Sequence, residues 1–93
     1  MSDVLAVVIY YPSHDGKNYY EEDLKDEKTV EELFDYCGIQ DGFIKPAGWK
    51  FLSEYYGYEK LYEINERSGY LWVDSVEEFV RDIEDCIKGE TAL

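Results

Sequence analysis

Apolar side chains run almost unbroken through Val4-Leu5-Ala6-Val7-Val8-Ile9-Tyr10-Tyr11 at the start of the chain. Eight β-branched, aromatic or aliphatic residues in a row, too few for a helix of ordinary length, predict a strand covered on both faces and therefore central in a sheet. Pro12 ends it, and Ser13-His14-Asp15-Gly16-Lys17 has turn chemistry. Asn18-Tyr19-Tyr20 reads as a short returning strand. Polar residues then dominate residues 21–27, where Leu24 is the one apolar side chain and no period is visible. That stretch reads as an exposed loop or a ragged helical turn.

Two later stretches carry helical periodicity. Val30, Leu33, Phe34 and Cys37 stand at i, i+3, i+4 and i+7, with Thr29 and Glu32 spaced as a capping box before them and Gly38 behind. Val76, Phe79, Val80, Ile83 and Ile87 repeat the pattern, opened by Ser75 with Glu78 and closed by Gly89. The likeness of Thr29-Val30-Glu31-Glu32-Leu33 to Ser75-Val76-Glu77-Glu78-Phe79 is the shared vocabulary of capped amphipathic helices, and one match establishes no repeat period.

Between these helices the pattern is less regular. In residues 39–57, Asp41-Gly42 and Lys45-Pro46-Ala47-Gly48 look like turns, while Trp49, Leu52 and Tyr56, with Phe51 and Tyr55, fit a short helix better than a strand. Residues 58–64 and 69–73, joined by Asn65-Glu66-Arg67-Ser68, read as a β-hairpin. Alternation would set Tyr62, Ile64, Leu71 and Val73 on one face, and Glu59, Leu61, Glu63, Tyr70 and Trp72 on the other. The expected fold class is therefore α+β: two layers, an antiparallel sheet of three to four strands with two to three helices packed on one face.

Composition narrows the chemistry. Ninety-three residues, 45% hydrophobic and 17% aromatic, suit a single folded domain. The formal net charge is −13, from 22 acids against 9 bases, which disfavours direct binding of nucleic acid or an anionic membrane and favours a basic partner. Met1-Ser2-Asp3 lacks the basic start of a secretory signal, and two cysteines make no disulfide framework, so a cytoplasmic location is the expectation.

Candidate catalytic groups do not assemble. His14 is the only histidine and falls in the expected turn. Cys37 and Cys86 come near helix C-termini, where the helix dipole disfavours a thiolate, so buried and inert thiols are expected. Zinc spacings, calcium loops and phosphate-cradling glycine motifs are absent from the sequence. Neither an enzyme nor a cofactor is expected.

Carboxylates remain the dominant signal. Glu21, Glu22, Asp23, Asp26, Glu27, Glu31, Glu32 and Asp35 crowd one stretch, and Asp74, Glu77, Glu78, Asp82, Glu84 and Asp85 another. Glu77–Arg81, Arg81–Asp85 and Glu84–Lys88 have the i,i+4 spacing of helix ion pairs, yet Glu84 and Asp85 sit where the helix dipole disfavours acids. A solvated surface would explain many of these charges, but solubility of a small domain needs a net charge of only about 2–8. The excess suggests carboxylates that stand in for phosphates. Tyrosine and tryptophan at Tyr19, Tyr20, Tyr70 and Trp72 would supply interface anchors.

In size, charge and aromatic content the chain resembles phage-encoded anti-defence proteins of the anti-CRISPR or anti-restriction kind, and immunity proteins that neutralise nuclease toxins. That resemblance, with no motif behind it, implies an inhibitor acting in the host cytoplasm that occludes the nucleic-acid groove of a basic protein. The alternatives are an immunity protein that neutralises a basic nuclease toxin, and an acidic adaptor module with no inhibitory role. The expected contact residues are Glu21, Glu22, Asp23, Asp26, Glu27, Glu31, Asp35, Tyr19 and Tyr20, with Asp82, Glu84, Asp85, Tyr70 and Trp72 as the rival set, and the balance leans to the earlier stretch.

Overall fold

A computed structural model describes residues 6–10, 17–40, 43–70 and 73–88. In order these form β1 (Val8–Tyr10), β2 (Lys17–Tyr19), α1 (Glu21–Leu24), α2 (Glu27–Gln40), β3 (Phe43–Ile44), α3 (Pro46–Tyr56), α4 (Tyr58–Ser68) and α5 (Val76–Lys88). The result is a small helical bundle, which corrects the expectation of a two-layer antiparallel sheet with helices on one face. Its strands are only three, three and two residues long. They form a minor antiparallel ribbon in the order β2-β1-β3, with Val8 opposite both Tyr19 and Ile44. A ribbon of that size cannot cover the apolar stripes of the helices, which bury against one another instead.

The chief difference lies in residues 58–68, where the expected first hairpin strand and its turn are one helix. Gly57, at φ 88°, ends α3 and opens α4 with no further connecting residue: its N–H donates to the Ser53 carbonyl and its own carbonyl accepts from Leu61. A left-handed φ is what lets the chain turn there. Gly69, at φ 76°, closes α4 with its N–H on the Asn65 carbonyl. Leu61, Ile64 and Asn65 are buried, so Leu61 does not share an outward face with Glu59 and Glu63, which are exposed. Trp72, the rest of that expected face apart from Tyr70, lies outside the described residues, as do Leu71, His14, Gly89 and residues 12–16.

The helices expected around residues 29–38 and 75–89 form, with different caps. α2 starts at Glu27, and the residue before it is Asp26, whose carbonyl accepts the Val30 N–H and whose carboxylate accepts the Thr29 hydroxyl at 2.9 Å. Thr29 is thus inside the helix, its hydroxyl held by the Asp26 carboxylate. At α5 the Ser75 hydroxyl accepts the Glu78 N–H at 3.2 Å as expected, while the Glu78 carboxylate reaches the N–H of Asp74 at 3.1 Å. Along α3, Pro46 occupies the first helical position, where its missing N–H costs nothing, and the preceding Lys45 is extended.

Residues 21–27, expected as an exposed loop or a ragged helical turn, hold the one-turn helix α1 and contribute an anchor. Leu24 is completely buried, and its carbonyl accepts the Tyr56 hydroxyl at 2.6 Å. The Tyr56 phenol, pushed up to about 12 chiefly by desolvation, keeps the proton this bond needs. Leu24 joins Val30, Leu33, Phe34, Leu52, Leu61, Ile64, Phe79 and Ile83 in one core. Side chains of this kind each stabilise the fold by roughly 1.5–3 kcal/mol when fully buried. Among the described residues no buried side-chain nitrogen or oxygen lacks a hydrogen-bond partner.

Candidate functional site

Much of the earlier acidic stretch is used within the fold. Glu27 pairs with Lys60 at 3.0 Å and with Arg67 at 3.1 Å, and Glu31 pairs with Arg67 at 2.8 Å. Lys60 and Arg67 are seven residues apart on α4, two helical turns, so both face α2. These groups are partly exposed and each pair alone is weak, but together they fix how α2 lies along α4. Glu22 pairs with Lys25 at 3.2 Å, the Asp23 carboxylate accepts the Tyr20 N–H at 3.0 Å, and the Asp26 carboxylate accepts the Thr29 hydroxyl at 2.9 Å. Glu21 and Asp35 are exposed, and Asp35 borders a shallow depression with Lys28, Glu31, Glu32, Arg67 and Ser68. Tyr19 is buried and offers no outward anchor, which corrects that expectation, whereas Tyr20 stands partly exposed beside α1.

The network has a testable pH signature. Its hydrogen bond to Lys60, ahead of the charges of Lys60 and Arg67, holds the Glu27 carboxyl below its ordinary value of 4.5. A depressed folded-state value means the stabilisation is complete above 4.5 and is lost as the pH falls through the folded value. Glu27→Gln is therefore expected to melt below the wild type at pH 7, with the gap closing as the pH is lowered below 4.5 in thermal denaturation followed by circular dichroism. A gap that stays constant with pH would mean the carboxylate charge is not what ties α4 to α2.

The later acids have a different situation. Asp82, Glu84 and Asp85 are all exposed on α5. The expected pairs Glu77–Arg81, Arg81–Asp85 and Glu84–Lys88 do not form; among the described residues, no ion pair involves a side chain of α5. At about 100° per residue, Asp82 and Asp85 share one edge of the helix, while Glu84 falls on the far side. The expected trio is thus divided. The earlier and later acidic stretches also do not merge, because α2 packs chiefly on α4 while α5 packs on α3 and α4.

Beside the Asp82–Asp85 edge lies a cleft of about 280 Å³ lined by Trp49, Tyr70, Asp82, Ile83, Asp85 and Cys86. Its wall is part of an aromatic stack: Tyr70 lies 5.5 Å from Phe34 and 6.2 Å from Trp49, with the rings inclined by 25° and 22°. Tyr70 is half-buried and lines the cleft. Desolvation pushes its phenol up to about 12. The Cys86 thiol is raised by burial first and then by Asp82 and Asp85, and burial pushes Cys37 up to about 12, so both remain protonated at neutral pH. Trp72 lies outside the described residues.

Sequence reasoning missed this assembly. Trp49 is contributed by α3, Tyr70 by the segment after α4, and the acids and Cys86 by α5. The helical spacing of Trp49 with Leu52, and of Asp82 with Asp85, was visible, but nothing in the sequence brought the two helices together. Among the described residues, no group of three or more histidine, cysteine or acidic side chains is placed to hold a metal ion, and no helix is long and apolar enough to cross a membrane. Comparison with protein families, with curated proteins and with solved structures gives no match.

Proposed function

We propose that this chain is an acidic inhibitor that binds a basic nucleic-acid-binding protein in its nucleic-acid groove, in the manner of anti-CRISPR or anti-restriction proteins, and that the α5 edge makes the contact. One observation carries the choice of face. Asp82 and Asp85 are exposed, have no basic partner among the described residues, and stand at the rim of an aromatic cleft, whereas Glu27 and Glu31 are engaged by Lys60 and Arg67. Carboxylates three apart on a helix are about 5–6 Å from one another, and duplex DNA presents one charge per ~1.7 Å of axis, so such an edge offers charge at a density a phosphate-binding groove accepts.

The remaining charge adds a long-range field. A net charge of −13 accelerates encounter with a basic partner and weakens with salt. The test is capture from a lysate on the immobilised protein, followed by challenge with duplex DNA. The expected result is retention of basic nucleic-acid-binding proteins at low salt and their release by DNA. Retention that DNA does not disturb would point instead to an acidic adaptor, and would contradict occlusion of the groove.

A further inference from the structure

Granted that reading of the α5 edge, we infer that the cleft between α3 and α5 receives a single arginine side chain of the basic partner, with its guanidinium held between Asp82 and Asp85 and its aliphatic stem along Trp49, Tyr70 and Ile83. The volume of about 280 Å³ falls just under the ~300–1,000 Å³ of sites that enclose small-molecule ligands, which suits one long side chain better than a cofactor. Its lining is divided in the way an arginine is divided. Ile83 and the aromatic wall are apolar, and Cys86 adds a neutral thiol, while both charged groups of the lining are carboxylates at the exposed rim.

The occupant is selected by charge complementarity. Asp82 and Asp85 have no cation among the described residues, and Arg81, although adjacent in sequence, forms no ion pair with either. A second carboxylate one turn along makes the rim attractive to a group that can bond to both. Guanidinium is planar, carries five N–H donors in a fixed fork, stacks on aromatic rings and is more weakly hydrated than ammonium. Lysine would present a compact, strongly hydrated charge with no flat surface for Tyr70 or Trp49. The aromatic wall is already ordered by stacking on Phe34, so binding need not fix it first.

The probe is N-acetyl-arginine amide, with N-acetyl-citrulline amide and N-acetyl-lysine amide as comparisons, titrated into the isotopically labelled full chain and followed by two-dimensional NMR. Arginine is expected to shift the Trp49 indole N–H and the amides of Ile83 and Cys86 in a saturable way, and citrulline, which keeps the shape without the charge, should not. Asp82→Asn/Asp85→Asn should weaken the arginine probe about tenfold, as loss of two charge-assisted partners predicts, while Glu84→Gln on the far side of α5 should leave it within about twofold. Equal binding of citrulline would make the cleft a merely apolar pocket, and equal binding of lysine would remove the selectivity; either overturns the inference. So would shifts spread along α5 that miss Trp49. If Asp82→Asn/Asp85→Asn lost the DNA-displaceable partner while the arginine probe missed the cleft, the proposed function would survive and the arginine site would not.

Discussion

Gly48→Ala is expected to destabilise the protein by about 2–3 kcal/mol, although alanine is the better helix former by about 1 kcal/mol. Gly48 lies inside α3, in its first turn, and is buried where that helix crosses the ribbon. A Cβ there would press against the carbonyl oxygen of Val7, and would lie 2.8 Å from Val8 Cγ2 and 3.0 Å from Ile44 Cγ2. The first of these is backbone and has no rotamer in which to move aside. Relief requires α3 to lift from β1, and the Lys45 ammonium to leave the Ala6 carbonyl it reaches at 3.2 Å. For a domain of this size that loss lowers the melting temperature by roughly 10 °C or more. Measured by calorimetry or circular dichroism, a rise in melting temperature would show that α3 does not pack on the ribbon as described, since only the helix-propensity gain would then remain.

Gly48 also illustrates what a sequence conceals. Lys45-Pro46-Ala47-Gly48 carries two strong turn formers, yet Pro46 starts a helix and Gly48 is needed for close packing inside it. Local turn chemistry and helix-start chemistry share those residue types, and only the neighbouring backbone decides between them. The α5 helix had no such ambiguity. Ser75, Phe79 and Ile83 announce its cap and its buried face, and both are observed. At α2 the apolar stripe was legible but its start was not, because Asp26 and Thr29 are both good caps, and the helix begins ahead of Thr29, whose hydroxyl donates to the Asp26 carboxylate.

The α4 segment is the instructive failure. Tyr62 and Ile64 alternate with Glu63 as a strand would, but Tyr58, Leu61, Tyr62 and Asn65 also keep the helical spacing i, i+3, i+4 and i+7. Period alone could not choose over so short a window. Two signals favoured helix: the glutamates, which strands disfavour, and the glycines at both ends, Gly57 and Gly69. The electrostatic consequence was further out of reach. Lys60 and Arg67 neutralise acids of α2 that lie more than thirty residues earlier, and the expected hairpin would have put Lys60 in a strand and Arg67 in the turn beyond it. Once α4 is a helix they face α2 together, and the earlier acidic stretch becomes in part a structural contact. That is why the candidate binding face moves to α5.

Asp82 and Asp85 are therefore expected to matter out of proportion to their share of the charge. Two variants that each remove two negative charges make the comparison: Asp82→Asn/Asp85→Asn on the cleft rim, and Glu32→Gln/Asp35→Asn on the exposed side of α2. All four side chains are exposed, and none forms an ion pair among the described residues, so both variants should fold. Both change the overall field equally and should slow encounter with a basic partner to the same modest degree. Only the first removes groups that would be desolvated against the partner's cations, where each lost partner leaves a buried charge unpaired and speeds dissociation. The most direct measurement is the dissociation constant of the two variants for the DNA-displaceable partner, determined side by side at physiological salt. A roughly hundredfold loss for Asp82→Asn/Asp85→Asn with less than about threefold for Glu32→Gln/Asp35→Asn is the predicted result; equal losses, or a larger loss from the α2 pair, would contradict the assignment of the binding face to α5.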